Sequence, residues 1–175
     1  HHAHALAQLH AHMHDISTIE GLPSQRHRLQ EKIRHAEGLD VALKETALKA
    51  IEKMSDADIL CHGDFHPDNV LITERGSVII DWIDATLGNP LADVARTSII
   101  LQAVSSAAGA APTEGISRIE RALVAWFHQA YLRRYFRLRP GDQEDYRQWL
   151  PIIAAARMSE GITEIKSWLR EQVLT

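Results

Sequence analysis

The sequence has almost no cysteine and no long apolar run, and each absence excludes a class of protein. Cys61 is the single cysteine, so an internal disulfide is excluded and a reducing compartment is expected. No apolar stretch approaches the roughly 20 residues that a membrane-spanning helix needs. No secretory signal is visible. We therefore expect a cytoplasmic protein without a membrane partner.

The sequence also lacks an excess of basic charge. Its 19 Lys and Arg against 23 Asp and Glu give a formal net charge of -4, which predicts no basic face for nucleic acid. A content of 45% hydrophobic and 24% charged residues is ordinary for a globular protein. Because 175 residues are enough for one well-buried core, we predict a single domain over residues 1–175.

Polar and acidic residues are concentrated between positions 60 and 84, in the stretch LCHGDFHPDNVLITERGSVIIDWID. It holds four Asp, two His and one Asn around two short β-branched runs, 70–72 and 78–80. Such runs separated by a short polar segment with glycine predict a β-hairpin. The stretch is therefore expected to be a hairpin with acidic residues at both ends.

Residues 62–69, HGDFHPDN, match the spacing H-x-D-x-x-x-x-N that is typical of kinase catalytic loops. A phosphoryl-transfer site needs a carboxylate that orients the attacking hydroxyl and accepts its proton, together with oxygen ligands for magnesium. Asp64 is the candidate for the first role and Asn69 for the second. Asp81, just after the second strand of the hairpin, is the candidate for another magnesium ligand.

The segments HGDFHPDNVLI and VIIDWIDATLGNPLADVA resemble the signature of the aminoglycoside phosphotransferase and choline-kinase-like family. The resemblance implies the C-terminal lobe of a protein-kinase-like fold, with ATP and Mg²⁺ as cofactors. It also implies transfer of the γ-phosphoryl group to a hydroxyl of a small molecule, whether aminoglycoside-like, choline-like or another small alcohol. By position, Asp64 is the catalytic base, and Asn69 and Asp81 are the magnesium ligands.

The same resemblance gives supporting roles to other residues. Asp93 is expected to bond the backbone of the catalytic loop, although a favourable contact with the dipole of its own helix is a simpler alternative. The residues left as supporting or substrate contacts are His62, His66 and Asp84.

Two features depart from a complete kinase. No glycine follows Asp81, so a mobile Asp-Phe-Gly switch is not inferred. None of the nine glycines lies in a G-x-G arrangement, and the five lysines fall in predicted helices, so a loop and a lysine that hold the triphosphate are missing. The chain also starts inside a helical pattern. We therefore expect residues 1–175 to be the large lobe of a longer enzyme, unable to turn over alone.

Outside the hairpin the periodicity is helical, which predicts a mainly α fold with one small β-hairpin. Asp40, Asn89 and Asp142 are the predicted caps of three of the helices. Residues 1–15 predict a surface helix. His10 and His14 lie four apart on one face of it, which is also the spacing of a zinc pair, but no carboxylate or cysteine stands at a matching position.

Other functions fit parts of the pattern. A metal-dependent phosphoesterase would use as ligands His62, Asp64, His66, Asp68, Asp81 and Asp84. A non-catalytic binding module would keep the fold without the chemistry. Five acids against two bases between 142 and 164 suggest an acidic wall for an amine-bearing acceptor, although solvated helix faces explain the same count.

Overall fold

A computed structural model describes residues 2–106 and 117–174. The described part is mainly helical, as predicted. Its α-helices are α1 (His2–Met13), α2 (Gln25–His35), α3 (Val41–Lys53), α4 (Pro90–Ser105), α5 (Arg118–Leu138), α6 (Gln143–Arg157) and α7 (Lys166–Val173). Its strands are β1 (Ile59–Cys61), β2 (Val70–Thr73), β3 (Gly76–Ile79) and β4 (Thr86–Gly88).

The helices begin where the sequence places side chains that accept backbone hydrogen bonds. Asp40, Asn89 and Asp142 each accept a backbone N–H in the first turn of α3, α4 and α6, which confirms the three predicted caps. Ser117 and Glu120 form a capping box at the start of α5. From the sequence, Thr113 and Glu114 are expected to begin this helix, but both lie outside the described residues.

The strands form two small antiparallel sheets, one of which is the predicted hairpin. Strands β2 and β3 pair from Val70 opposite Ile79 to Thr73 opposite Gly76, as the hairpin requires. Strands β1 and β4 form the second sheet, with Leu60 opposite Leu87. At three residues each, these two strands are too short to show an alternating pattern, so they could not be predicted from the sequence.

One face of helix α1 lies in the core and carries His10, so the prediction of a surface helix is wrong for this face. It packs against α5, and α4 packs against both α5 and α6. The buried residues of α1 and of the turn after it are Ala3, Leu6, Ala7, His10, Ala11, Met13 and His14. Alanines and histidines make up most of this face. Because histidine is usually counted as a polar residue, the sequence pattern did not indicate that the face is buried. No helix of the described residues is long and apolar enough to cross a membrane.

Candidate active site

Asp93 anchors the loop at 62–69, the candidate catalytic loop, from the first turn of α4. Its carboxylate is 1% exposed. The backbone N–H of His62 donates to Oδ2 at 2.7 Å, and that of Gly63 donates to Oδ1 at 2.9 Å. A carboxylate makes these two hydrogen bonds charge-assisted, and they hold Asp64, the next residue, in a fixed place relative to α4.

Two histidines of the amino-terminal segment complete the surroundings of Asp93. Nε2 of His10 and of His14 lie 3.1 and 3.3 Å from Asp93 Oδ2. On the other side of each ring, Nδ1 lies 2.7 Å from the hydroxyl of Tyr131 or of Tyr135 on α5. Every polar atom is satisfied when each Nε2–H donates to the carboxylate and each Nδ1 accepts from a tyrosine. A closed network therefore joins α1, α4 and α5 behind the catalytic loop.

The charge in this network resides on Asp93. Burial lowers the pKa of His10 to about 4 and also lowers the pKa of His14, so both rings are neutral near pH 7. Burial opposes ionisation of Asp93, but the hydrogen bonds from the two histidines hold the pKa of its carboxyl well below the usual value. The result is a buried carboxylate stabilised by four donors.

His10, His14 and Asp93 also form a group whose ligand atoms are close enough to hold a metal ion. The tertiary structure thus supplies the carboxylate that the zinc-pair hypothesis lacked. In the arrangement observed, however, both Nε2 atoms are engaged with Asp93, and a cation would have to displace both of these hydrogen bonds. The hydrogen bonds among these three side chains explain their positions without a metal ion, because together they support the loop.

Asp64 follows a turn that requires glycine. Gly63 has a φ of 79°, and a Cβ on it would lie 2.3 Å from the carbonyl oxygen of Asp84. The side chain of Asp64 is partly exposed, with Asn69 Nδ2 at 2.9 Å from its carbonyl oxygen and 3.4 Å from Oδ2. Nη2 of Arg96 donates to Oδ1 at 3.1 Å. The carboxylate of Asp64 is held at both oxygens.

Asp64 remains ionised across the physiological pH range. The hydrogen bond from His66, whose Nε2 lies 3.4 Å from Oδ2, and the charge of Arg96 hold the pKa of this carboxyl well below the usual value, against partial burial. An ionised carboxylate is the form that accepts a hydrogen bond from an attacking hydroxyl.

Asn69 and Asp81 stand at the same end of the hairpin, and their side chains carry oxygen atoms. Ile80, the residue before Asp81, donates its backbone N–H to the carbonyl oxygen of Asn69 at 3.0 Å. Because Nδ2 of Asn69 bonds Asp64, the amide presents Oδ1 on its other branch. Asp81 is exposed and has a φ of 63°, a left-handed conformation that is uncommon outside glycine. Carboxylate and amide oxygens fit the preference of magnesium.

The other aspartates and histidines of residues 60–84 do not form a metal-binding cluster in the described part of the chain. His62 is buried; its Nε2 donates to the carbonyl oxygen of Ile80 at 2.9 Å, and its Nδ1 accepts from the backbone N–H of Asp64 at 3.2 Å. The carboxylate of Asp68 is 94% exposed, and that of Asp84 pairs with Lys32. Within residues 2–106 and 117–174, no three of the six phosphoesterase candidates form a metal-binding group.

Sequence reasoning missed the ion pairs beside Asp64. Arg96 on α4 contacts both Asp64 and Glu160, and Arg157 at the end of α6 donates to Glu160 at 3.0 Å. Lys32 on α2 lies 3.7 Å from the same glutamate. Of these residues, Arg96 alone stands next to a quoted segment, since it directly follows VIIDWIDATLGNPLADVA. A single arginine on a helix does not by itself indicate a functional role.

Comparison with curated proteins gives no match. The sequence model of the phosphotransferase enzyme family, APH, matches residues 1–136. This match includes the catalytic loop, the hairpin, Asp81 and the two histidines that hold Asp93. Since it covers 136 of 175 residues, the chain belongs to the phosphotransferase enzyme family.

Proposed function

We propose that this protein is an ATP- and Mg²⁺-dependent kinase that phosphorylates a hydroxyl group of a small molecule. Family membership supports phosphotransferase chemistry in general. The observation that carries the finer proposal is the setting of Asp64. Its ionised carboxylate is held by Asn69 and Arg96, on a loop that Asp93 fixes from behind.

In the proposed reaction Asp64 orients the acceptor hydroxyl through a hydrogen bond. The hydroxyl oxygen forms the new bond to the γ-phosphorus, and the bond from that phosphorus to the β–γ bridging oxygen breaks, with ADP as the leaving group. The hydroxyl proton passes to a carboxylate oxygen of Asp64 as the new bond forms. Because the carboxylate is held by its neighbours, little rearrangement is needed when the acceptor arrives.

Asn69 and Asp81 are the residues proposed to hold magnesium. The cation, when bound, neutralises charge on the phosphate oxygens. Asn69 would then have two roles, since its Nδ2 holds Asp64 while its Oδ1 is available to the cation. This shared residue would keep the metal and the base at a constant spacing.

We also propose that the chain is the large, acceptor-binding lobe of the enzyme. All five lysines lie on helices α2, α3 and α7, whereas the lysine that holds the triphosphate in kinases usually lies on a strand. Calorimetry with ATP and Mg²⁺ on residues 1–175 tests this proposal. We expect a dissociation constant weaker than about 1 mM, and tight binding would contradict it.

Phosphoryl transfer itself is tested with radiolabelled ATP and a panel of hydroxylated small molecules, in the natural protein that carries these residues. We expect Asp64→Asn to lower kcat on the order of a hundredfold or more, with the KM for ATP little changed, because the amide cannot accept the proton. Asp58→Asn is the matched control, since Asp58 is exposed on a different segment.

Two results would count against the proposal. Phosphoryl transfer to none of the acceptors by the unaltered protein would remove the kinase assignment. Normal turnover in Asp64→Asn would keep the assignment but remove Asp64 from the mechanism.

A further inference from the structure

A chain of ion pairs leads away from Asp64 into the protein. Arg96 donates through Nη2 to Asp64 and through Nη1 to Glu160, and Arg157 donates through Nε to the other oxygen of Glu160. The order is therefore Asp64, Arg96, Glu160, Arg157. It joins the catalytic loop to α4 and to the carboxyl end of α6.

The members of this chain are more buried than surface ion pairs. Arg96 and Arg157 are each 7% exposed, and the side chain of Glu160 is 19% exposed. Nε of Arg96 and Nη1 of Arg157 are buried without a hydrogen-bond partner among the described residues. Taking two guanidinium groups out of water is unfavourable, and a buried ion pair is weak evidence for stability. Stability alone is a poor explanation for this arrangement.

The geometry of Arg96 suits a different purpose. A guanidinium group is planar and presents its donors in a fixed fork, so one group can bridge two carboxylates and hold both in place. Here one arm of the fork is fixed on Glu160 and the other determines the position of Oδ1 of Asp64. Glu160 is in turn held by Arg157, with Lys32 3.7 Å away. Each member limits the freedom of the next.

We infer that Arg96 is a positioning residue for the catalytic carboxylate, and that Glu160 acts through it. Arg96 donates a hydrogen bond to Oδ1 of Asp64 and thereby fixes the rotamer of the Asp64 side chain. In this rotamer the remaining lone pairs of the carboxylate can accept a hydrogen bond from the acceptor hydroxyl. This inference rests on the proposed phosphotransfer. It gives a role to two residues that lie 32 and 96 positions from Asp64 in the sequence.

The inference predicts a specific kinetic pattern. A misplacement of about 1 Å in a catalytic group costs on the order of a hundredfold in rate, so we expect Arg96→Gln to lower kcat by about that factor while the KM for ATP stays within about twofold. Arg96→Lys should recover part of the loss, since an ammonium group keeps the charge but cannot bridge both acids. Glu160→Gln should lower kcat about tenfold, because Arg96 then loses its fixed arm.

Arg147→Gln is the matched control. Arg147 also lies on α6 and also pairs with a glutamate, Glu144, but its side chain is 61% exposed. We expect no change in kcat. Urea unfolding establishes that each variant folds. If Arg96→Gln does not fold, Glu160→Gln decides, because Asp64 and Arg96 both remain present in it.

A second measurement does not depend on activity. Asn69 donates its Nδ2 hydrogens to Asp64, so the side-chain amide resonances of Asn69 report on the position of that carboxylate. We expect these resonances to move in Arg96→Gln and Glu160→Gln and to stay in place in Arg147→Gln.

The outcomes separate the two proposals. Absence of phosphoryl transfer in the unaltered protein would remove the kinase assignment, while movement of the Asn69 resonances would still support the positioning role. Normal kcat in Glu160→Gln and in a folded Arg96→Gln would overturn the positioning role and leave the kinase assignment intact. Unmoved Asn69 resonances in both variants would overturn it as well.

Discussion

The replacement Asp93→Asn is the sharpest test of the network behind the catalytic loop. An aspartate carboxylate accepts hydrogen bonds at both oxygens, whereas an asparagine amide has one acceptor oxygen and an NH₂ group. Asp93 accepts from four donors, namely the backbone N–H groups of His62 and Gly63 and the rings of His10 and His14. Three of these donors point at Oδ2 and one, the N–H of Gly63, points at Oδ1. In the variant, at least one donor would therefore face an NH₂ group that cannot accept, and the others would lose a charged acceptor.

The size of the effect follows from these lost bonds. A hydrogen bond to a charged group contributes about 1.5 to 3 kcal/mol, a neutral one contributes about 1 kcal/mol, and a buried donor left without an acceptor costs about 1 to 3 kcal/mol. We therefore expect Asp93→Asn to lower the free energy of unfolding by about 3 to 5 kcal/mol. Such a loss is a large part of the roughly 5 to 15 kcal/mol that stabilises a typical domain.

Urea unfolding followed by tryptophan fluorescence measures this loss, because Trp149 is fully buried. Asp58→Asn, at an exposed position, should change the free energy of unfolding by less than about 0.5 kcal/mol. Hydrogen exchange locates the effect: the amides of His62 and Gly63 should exchange faster in Asp93→Asn. A loss below about 1 kcal/mol, with unchanged exchange at these two amides, would refute the role assigned to Asp93.

Two further predictions concern the metal and the histidines. In the natural protein that carries these residues, Asp81→Ala should abolish magnesium-dependent nucleotide affinity, and Asn69→Ala should raise the magnesium requirement more mildly. Unchanged magnesium titrations in both variants would contradict these ligands. For His10, the folded pKa of about 4 lies below the unfolded 6.5, so the unfolded state binds more protons between these values. The free energy of unfolding should therefore fall by about 3 kcal/mol as the pH decreases from about 6.5 to about 4, with His14 adding in the same direction. Urea unfolding across this range should show the loss diminished in His10→Gln and retained in His12→Gln, and a pH-independent stability would contradict the prediction.

Much of the candidate site could be predicted because its signals are local. The loop at 62–69 and Asp81 stand within twenty residues of one another, and the strands that separate them are long enough to show as apolar runs. The caps Asp40, Asn89 and Asp142 were predictable for the same reason, since a cap bonds a backbone N–H only a few residues away.

The sequence by itself determined the mainly α class, the hairpin and the spacing of Asp64, Asn69 and Asp81. Only the tertiary structure decided what surrounds them. His10 meets Tyr131 across 121 positions, and Arg96 meets Glu160 across 64. No periodicity along the chain connects such partners, because they are brought together by the packing of α1 on α5 and of α4 on α6. A histidine or an arginine on a helix is read as solvated until that packing encloses it, and burial is what converts these residues into fixed supports of the catalytic loop.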